Sequence, residues 1–315
     1  MTPRVVVVGS MHMDFVVVLN RFPEIGETVI GKDFKMTPGG KGANQAVSAA
    51  RLGAETYLVS RVGNDSIGVH LLENLRSNSV RDRYVTIDTE SYTGVALIFV
   101  DSKGRNMIAV APGTDARVSR EDVDRAFNEL CSMDTVLLQL EIPVDTVVYA
   151  AKKGKEIGSL IILNPAPYRK LPEEIFLNVD VITPNRIEAE QLTGIKIDSL
   201  SDCEKAGKAL LGKGVKIAVI TLGERGAYVV SNEYTGLVES FQVPVVDTTG
   251  AGDAFNGALA VALAEGMPIK EAVIFANATS SLKITRLGAQ EGLPRRREIE
   301  NFLSTRGIKL RSKRQ

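Results

Sequence analysis

The sequence of 315 residues has little cysteine, little histidine and no tryptophan. Its two cysteines, Cys131 and Cys203, are too few for a disulfide framework, which favours a reducing, cytoplasmic setting. His12 and His70 share no metal-ligand spacing with each other or with the cysteines. The sequence therefore does not predict a zinc site.

Net charge and long apolar runs are lacking as well. The 38 Lys and Arg residues balance the 38 Asp and Glu residues, which argues against nucleic acid as a partner. No apolar stretch approaches the roughly 20 residues that cross a bilayer, so we expect no membrane partner. Residues 5–8 are too few for the apolar region of a secretory signal.

What is present predicts an α/β fold with a Rossmann-like, doubly wound, mostly parallel sheet. Four valines at 5–8, stopped by Gly9, are typical of a buried strand. A helix is predicted over 66–77 with Ser66 as its N-cap. From residue 119 onward strand and helix patterns alternate, as expected for parallel strands joined by helices. An apolar run at 241–246 predicts a strand before the helix pattern of 253–265.

Two segments, near residues 15–40 and 84–110, do not fit this alternation of strands and helices. Residues 93–100 and 106–110 form a predicted hairpin, joined by a loop of four residues that contains Gly104. We therefore predict an α/β core of 1–13, 41–83 and 111–315 that binds nucleotide and substrate, and a small β-sheet lid of 14–40 and 84–110. The basic residues Lys309, Arg311, Lys313 and Arg314 predict a frayed, solvated tail.

A glycine-rich turn at 247–253 precedes the predicted helix of 253–265. Free N–H groups and the macrodipole make such a helix N-terminus an anion site. Asp253 alone would be an ordinary first-turn acid. Two glycines within three residues, directly followed by Asp253, indicate instead a carboxylate that can take a proton from an attacking hydroxyl. It need not be strongly basic, because phosphoryl transfer depends mainly on positioning and electrostatics.

Other phosphate-binding and nucleophile motifs do not occur in the sequence. There is no P-loop of the G-x-x-x-x-G-K-[ST] type. After Gly250 and Gly252, the third position of a dinucleotide fingerprint is Phe255, which disfavours a hydride-transferring dehydrogenase. No G-x-S-x-G nucleophile elbow is present either.

Two further motifs each allow two interpretations. The run Pro38-Gly39-Gly40-Lys41-Gly42-Ala43-Asn44 is a flexible hinge, a loop that binds a polyhydroxyl ligand, or both. Asn185-Arg186-Ile187-Glu188 is a helix start with an acid in its first turn, or an acid that orders a hydrated Mg²⁺.

Together these motifs resemble the ribokinase branch of the PfkB-type carbohydrate kinases over essentially the whole chain. Residues 39–46 and 247–253 resemble the N-terminal and C-terminal signatures of that family. Shorter matches are Thr93-Gly94-Val95-Ala96, Asn164-Pro165-Ala166, Thr183-Pro184-Asn185 and Thr221-Leu222-Gly223. The resemblance implies a Rossmann-like core, a β lid that often forms a homodimer, Mg-ATP as phosphoryl donor and a pentose as acceptor.

The resemblance also implies roles for the matching residues. Asp253 would be the general base for the sugar 5-hydroxyl, beside an anion hole formed by the backbone of Gly250, Ala251 and Gly252. The residues that would hold the sugar are Asp14, Gly40, Lys41, Asn44 and Glu141. Those along the nucleotide are Asn185, Thr221, Gly223, Gly226 and Asn277, with Glu188 near Mg²⁺ through water. An activating K⁺ would bind Asp247, Thr249 and backbone carbonyls around Lys283, Arg286, Gly288 and Gly292.

Two residues depart from the pattern of that family. His12 stands where ribokinases usually have Asn. It is a tolerated change, because imidazole can donate and accept hydrogen bonds, or it marks a changed sugar preference. Gly292 stands where ribokinases often have Ser, which removes a side-chain oxygen from the implied K⁺ site.

The expected function is ATP-dependent phosphorylation of the 5-hydroxyl of D-ribose, giving D-ribose 5-phosphate. His12 motivates an alternative acceptor: a nucleoside, a ketose or a ribose phosphate. Aromatic residues are sparse at 5%, which disfavours a nucleoside-base pocket. A non-catalytic protein that responds to sugar or nucleotide is a further alternative. Such a protein would have lost Asp253, a glycine of the anion hole or Glu188, and all of these are present.

Overall fold

The computed structural model describes residues 2–310, and two sheets organise them. The large sheet has ten strands: β1 (Arg4–Val8), β4 (Glu55–Gly63), β5 (Val80–Arg81), β6 (Val85–Asp88), β9 (Thr135–Leu138), β10 (Leu160–Leu163), β11 (Val181–Ile182), β12 (Ile217–Thr221), β13 (Ala227–Ser231) and β14 (Thr235–Val238). The small sheet has four: β2 (His12–Val18), β3 (Asp33–Gly39), β7 (Val95–Val100) and β8 (Asn106–Ala111).

The large sheet is mostly parallel, in the order β14-β13-β12-β11-β10-β9-β1-β4-β5. Strands β4, β1, β9, β10, β11 and β12 run parallel, and β13 and β14 form an antiparallel hairpin at one edge. This arrangement confirms the predicted doubly wound α/β fold with a separate small sheet.

Helices cover both faces of the large sheet: α1 (Lys41–Arg51), α2 (Ser66–Ser77), α3 (Arg120–Phe127), α4 (Val144–Glu156), α5 (Arg186–Thr193), α6 (Leu200–Gly212), α7 (Ala251–Ala264), α8 (Ile269–Lys283) and α9 (Arg296–Ser304). Successive valines of β1 pack into opposite layers, Val5 and Val7 into one core and Val6 and Val8 into the other. A strand buried on both faces has no polar side, which explains the unbroken apolar run. No helix within residues 2–310 combines the length and the apolar character that a membrane span requires.

Strand β1 lies between β4 and β9, where the direction of winding reverses. Ligands of open α/β sheets bind in the crevice beyond the carboxyl ends of the strands at such a point. Ser10 and His12 follow β1 there, and Glu141 follows β9.

The small sheet extends from this same crevice. Strand β2 pairs antiparallel with β3, bringing His12 opposite Gly39, and pairs parallel with β7. One prediction at its boundary is wrong. Residues Val85–Asp88, expected in the lid, pair with β4 of the large sheet.

Two local predictions, a strand and a helix cap, are wrong as well. A third, on the tail, concerns residues that the structure does not describe. Residues 241–246 form no strand; they are irregular and lead into the turn before α7. The N-cap of α2 is Asp65, whose carboxylate accepts from Gly68 N–H, because Ser66 is already helical. Of the predicted tail, residues 311–315 lie outside the described part of the chain.

Candidate active site

Asp253 is the central carboxylate of the site. It lies in the first turn of α7, which begins after Gly250 in the left-handed conformation with φ of 73°. Ala251 N–H donates to the Thr248 carbonyl and closes the turn. The next N–H groups, of Gly252 and Asp253, belong to the helix start, where no intrahelical acceptor exists. The predicted base and the predicted anion hole are therefore adjacent.

The neighbouring helix α1 positions Asp253 with two amide side chains. Asn44 Nδ2 donates to Asp253 Oδ2 at 2.9 Å, and Gln45 Nε2 donates to Oδ1 at 3.0 Å. The two helices approach closely because small residues face each other: a Cβ on Gly257 would lie 2.5 Å from Ser48 Cβ. Both carboxylate oxygens are thus held in one orientation before substrate arrives.

Burial raises the pKa of Asp253, and the Lys41 ammonium and the two amide donors oppose this rise. The same attraction acts in reverse on Lys41. The Asp253 carboxylate raises the pKa of Lys41, burial lowers it, and Glu141, Glu188 and Asp14 raise it further. Lys41 is therefore a fixed positive charge among four acids, close to the place where a phosphoryl group would be transferred.

The residues predicted to hold a sugar meet around the start of α1. The Lys41 N–H donates to Glu141 Oε2 at 2.8 Å, and Ser10 Oγ donates to the same oxygen at 2.5 Å. Asp14 lies against the backbone of β3, where a Cβ on Gly39 would be 2.5 Å from Asp14 Oδ1. Gly40 is the N-cap of α1, with φ of 88°.

His12 forms a buried ion pair that the sequence did not predict. Its Nδ1 donates to Asp115 Oδ2 at 2.7 Å, and its Nε2 lies 3.6 Å from Asp14 Oδ1. Burial acts to lower the pKa of His12, but Asp115, Glu141 and Asp14 outweigh it and raise the pKa to about 9. Burial also raises the pKa of Asp14, to about 6. At neutral pH His12 is therefore an imidazolium that only donates, which corrects the expectation that it could also accept.

A groove of about 350 Å³ lies beyond the carboxyl ends of β11 and β12. Asn185, Thr221 and Gly223 line it, as the sequence predicts for a nucleotide site, and Arg225 is a further lining residue. A single parallel bridge joins Asn185 to Thr221.

Gly226 and Asn277, the other predicted nucleotide residues, lie beside one segment next to this groove. Asn277 Nδ2 donates to the carbonyls of Val238 and Glu239 at 3.0 and 3.1 Å. A Cβ on Gly226 would be 2.2 Å from the Val238 carbonyl oxygen. Both residues therefore position the chain after β14.

Glu188 serves as a helix cap in this structure. Its Oε2 accepts from Asn185 N–H at 2.8 Å, and its own N–H donates to Asn185 Oδ1 at 2.9 Å. Burial raises the pKa of Glu188, while Asn185 N–H and Lys41 oppose the rise. Within residues 2–310 no group of three acidic, His or Cys side chains could hold a metal ion. A single carboxylate fits Mg²⁺ that keeps most of its waters and binds mainly to phosphates.

The residues named for a K⁺ site do not fit an added cation. Asp247 and Gly288 do meet, since Gly288 N–H donates to Asp247 Oδ2 at 2.9 Å, and Thr249 N–H donates to Oδ1 at 2.9 Å. The fully buried side chain of Lys283, however, extends between Asp247 and Gly292. Arg286 donates its N–H to the Lys283 carbonyl, and its guanidinium pairs with Glu298.

Sequence reasoning missed several polar residues that hold the site together. They are Ser10, Gln45, Asp115, Asn164 and Gln290. Gln290 donates to Asn44 Oδ1 at 2.9 Å, and Gln45 also donates to Asn164 Oδ1 at 3.1 Å. Gln45 and Asn164 lie inside quoted motifs and could have been found there. Asp115 lies in a short 3₁₀ helix, Gly113–Arg117, with no motif around it.

Comparison with known proteins explains the arrangement. A family model described as pfkB family carbohydrate kinase matches residues 2–296. The chain belongs to the pfkB family of carbohydrate kinases. Members of this family transfer a phosphoryl group to a sugar hydroxyl, so the prediction of a phosphotransferase is confirmed.

Individual pfkB relatives match nearly the full length. A ribokinase from Bacillus subtilis is 42% identical over 301 residues, covering 96% of this chain and 99% of that protein. A deoxyribokinase from Salmonella typhi is 35% identical over 301 residues, covering 95% and 98%. A solved ribokinase from Arabidopsis thaliana, complexed with ribose and ATP, is 33% identical with a TM-score of 0.89, covering 96% and 99%.

Proposed function

We propose that this protein phosphorylates the 5-hydroxyl of D-ribose with ATP, giving D-ribose 5-phosphate and ADP. The observation that carries the proposal is the buried carboxylate of Asp253, held by Asn44 and Gln45 directly beside the N-terminus of α7. A base next to an anion site is what transfer of a phosphoryl group to a hydroxyl requires. The full-length similarity to ribokinases supports ribose as the acceptor.

In the proposed reaction Asp253 accepts the proton of the 5-hydroxyl as its oxygen attacks the γ-phosphorus of ATP. The bond from the γ-phosphorus to the β,γ-bridging oxygen breaks, and ADP leaves with that electron pair. The N–H groups of Gly250 and Gly252 stabilise the charge on the transferring group, whereas Ala251 N–H holds the turn by donating to the Thr248 carbonyl. Lys41 balances the negative charge of Asp253 and of the phosphates, which would otherwise oppose their approach.

The sugar hydroxyls would bind the polar groups around the start of α1. Asp14 and Glu141 accept hydrogen bonds, Asn44 and His12 donate them, and Gly40 lets the backbone of α1 come close. These groups belong to separate chain segments that the crevice brings together. A small ligand with several hydroxyls can therefore satisfy all of them at once.

ATP would lie along the groove formed by Asn185, Thr221 and Gly223. Mg²⁺ bound to its phosphates would be oriented through water by Glu188, and it would neutralise part of the phosphate charge. The helix cap leaves one oxygen of Glu188 unused, since Asn185 N–H contacts Oε2 alone.

We also propose a homodimer that forms through the small sheet. Four of its large apolar side chains are about half exposed and share one face of the sheet by their register: Phe34, Met36, Leu97 and Met107. Contiguous exposed apolar surface of this kind marks an interaction site. A cytoplasmic location remains a prediction, supported by the free thiols of Cys131 and Cys203.

One observation favours a second acceptor, 2-deoxy-D-ribose. His12 is a charged donor in place of the Asn that ribokinases usually have, and one relative of 35% identity is a deoxyribokinase. A changed donor beside Asp14 alters which sugar hydroxyls can be bound.

The test is ADP release from Mg-ATP with a panel of acceptors: D-ribose, 2-deoxy-D-ribose, fructose, ribose 1-phosphate, adenosine and cytidine. We expect the highest kcat/KM with D-ribose. A higher value with deoxyribose would support the second acceptor. No ADP release with any acceptor, while ribose binds by calorimetry, would overturn the proposed activity.

A further inference from the structure

The last residue of α8, Lys283, is a fully buried lysine. Its ammonium donates to the Asp247 carbonyl at 2.9 Å and lies 3.7 Å from Asp247 Oδ2. Burying a lysine is costly unless its charge is compensated. We therefore expect the charge of Lys283 to have a role that a smaller apolar residue could not fill.

The backbone around Lys283 leaves room for this side chain and for little else. A Cβ on Gly292 would lie 3.2 Å from Lys283 Cε, 2.9 Å from the Gly288 carbonyl oxygen and 3.2 Å from that of Leu287. A serine at 292 would thus crowd the lysine stem. Gly292 and Lys283 therefore fit together sterically, and the carbonyl oxygens of Leu287 and Gly288 lie close to the space that the lysine enters.

Asp247 connects this lysine to the anion hole. Its two carboxylate oxygens accept from Thr249 N–H and from Gly288 N–H, both at 2.9 Å. Asp247 N–H in turn donates to the Ile284 carbonyl at 3.1 Å. A positive charge at this point holds together the turn that precedes α7 and the segment that follows α8.

The turn itself rests on that second segment. An added Cβ on Gly250 would lie 3.2 Å from Ala289 Cα, so the two pieces of backbone are in contact. If the segment after α8 shifts, the N–H groups of the anion hole shift with it. Positioning errors of about 1 Å at such a site can cost roughly a hundredfold in rate.

We propose that the ammonium of Lys283 is a built-in monovalent cation: it positions the anion-hole turn through Asp247, and it makes the enzyme independent of added K⁺. Lys283 is a positioning residue here, since its ammonium contacts Asp247 and acts on the anion-hole turn through that residue. The proposal deepens the proposed function, because its kinetic arm needs the kinase reaction. Its binding arm does not.

The first experiment measures kcat and kcat/KM of the unmodified protein in K⁺ and in tetramethylammonium at equal ionic strength. We expect the values in the two salts to agree within about twofold.

The second experiment compares two variants. Lys283→Ala opens a space lined by carbonyl oxygens, whereas Lys283→Met fills the space without charge. We expect both to lose at least about tenfold in kcat without K⁺, and K⁺ to restore activity to the Ala variant only.

A matched control is Lys155→Met, which removes a lysine paired with Asp180 outside the site. It should remain insensitive to K⁺. A merely structural role for Lys283 would lower the melting temperature of both variants without any selectivity for K⁺ over Na⁺ or Li⁺ in the rescue. Strong K⁺ activation of the unmodified protein would overturn the proposal outright.

The binding arm separates this inference from the proposed function. K⁺ should raise the melting temperature of Lys283→Ala in a saturable way, because a ligand that binds only the folded state stabilises it. It should not do so for the unmodified protein or for Lys283→Met. No K⁺ effect on the Ala variant, in melting or in rate, would contradict the proposal. Total absence of ADP release, with the melting result as expected, would contradict only the kinase assignment.

Discussion

Asn44 donates a hydrogen bond to Asp253 at 2.9 Å, although the two residues are 209 positions apart in the chain. Asn44 belongs to the glycine-rich loop and helix that would hold the sugar, and Asp253 is the proposed base. The bond means that substrate binding and base positioning share one side chain. Gln290 donates to Asn44 Oδ1. It lies in the segment after α8, so this bond also links Asn44 to the backbone that supports the anion hole.

Asp253→Asn is expected to lower kcat by about 10²- to 10⁴-fold. The amide cannot take the hydroxyl proton. It has the shape of the carboxylate, and its single oxygen can still accept from one of the two side chains of α1. Ribose affinity, measured by calorimetry, should change little. The control is Asp198→Asn, at an exposed position. Near-normal turnover in the Asp253 variant would remove that residue as the base.

The His12–Asp115 ion pair should make stability depend on pH in the alkaline range. The folded protein raises the pKa of His12 from 6.5 to about 9, so the folded state holds this proton more tightly than the unfolded state. The stabilisation is complete below pH 6.5 and is lost as the pH rises through 9. It amounts to at most about 3 kcal/mol.

Urea unfolding of the unmodified protein and of His12→Asn tests this dependence. The difference in the free energy of unfolding should be large below pH 6.5 and should vanish above pH 9. His70→Asn, at an exposed position, is the matched control. A difference that stayed constant with pH would show that His12 is not charged in the folded state. The same variant reports specificity through its kcat/KM ratio for ribose over deoxyribose.

Glu188→Gln separates helix capping from metal binding. Gln at this position can still accept from Asn185 N–H, so the cap and the melting temperature should be preserved. Loss of the charge should raise the Mg²⁺ concentration for half-maximal activity by about tenfold. Asp202→Asn changes the equivalent capping acid of α6 and should leave the Mg²⁺ response unchanged. Equal Mg²⁺ titrations for both variants would rule out a role of Glu188 toward the metal.

Met107→Lys is expected to convert the proposed dimer into monomers, because it places a charge on the face of the small sheet that carries Phe34, Met36 and Leu97. Light scattering coupled to size exclusion gives the mass directly. Leu177→Lys alters a side chain that is 70% exposed but lies outside that sheet, and it should not change the mass. If the unmodified protein is a monomer at micromolar concentration, the proposed interface is contradicted.

Many residues of this site can be predicted from local sequence patterns, but others cannot. Asp253, Lys41, Asn44 and Glu188 stand in glycine-rich or helix-start motifs whose chemistry is visible over a few residues. Asp115 does not, since its meaning depends on His12, 103 positions earlier in the chain. The strand predicted at 241–246 fails for a similar reason: an apolar run pairs only where the fold offers a neighbouring strand edge.

The sequence by itself determined the α/β class, the presence of the helices and the glycine turns, because these depend on side-chain spacing and on backbone conformations that few residues adopt. Tertiary structure alone decided that His12 is charged, that Asp253 is held by two amides of α1, and that Lys283 enters the space beside Asp247. Burial sets the cost of each charge and long-range packing supplies its partner. A short stretch of sequence reveals neither the burial of a charged group nor its distant partner.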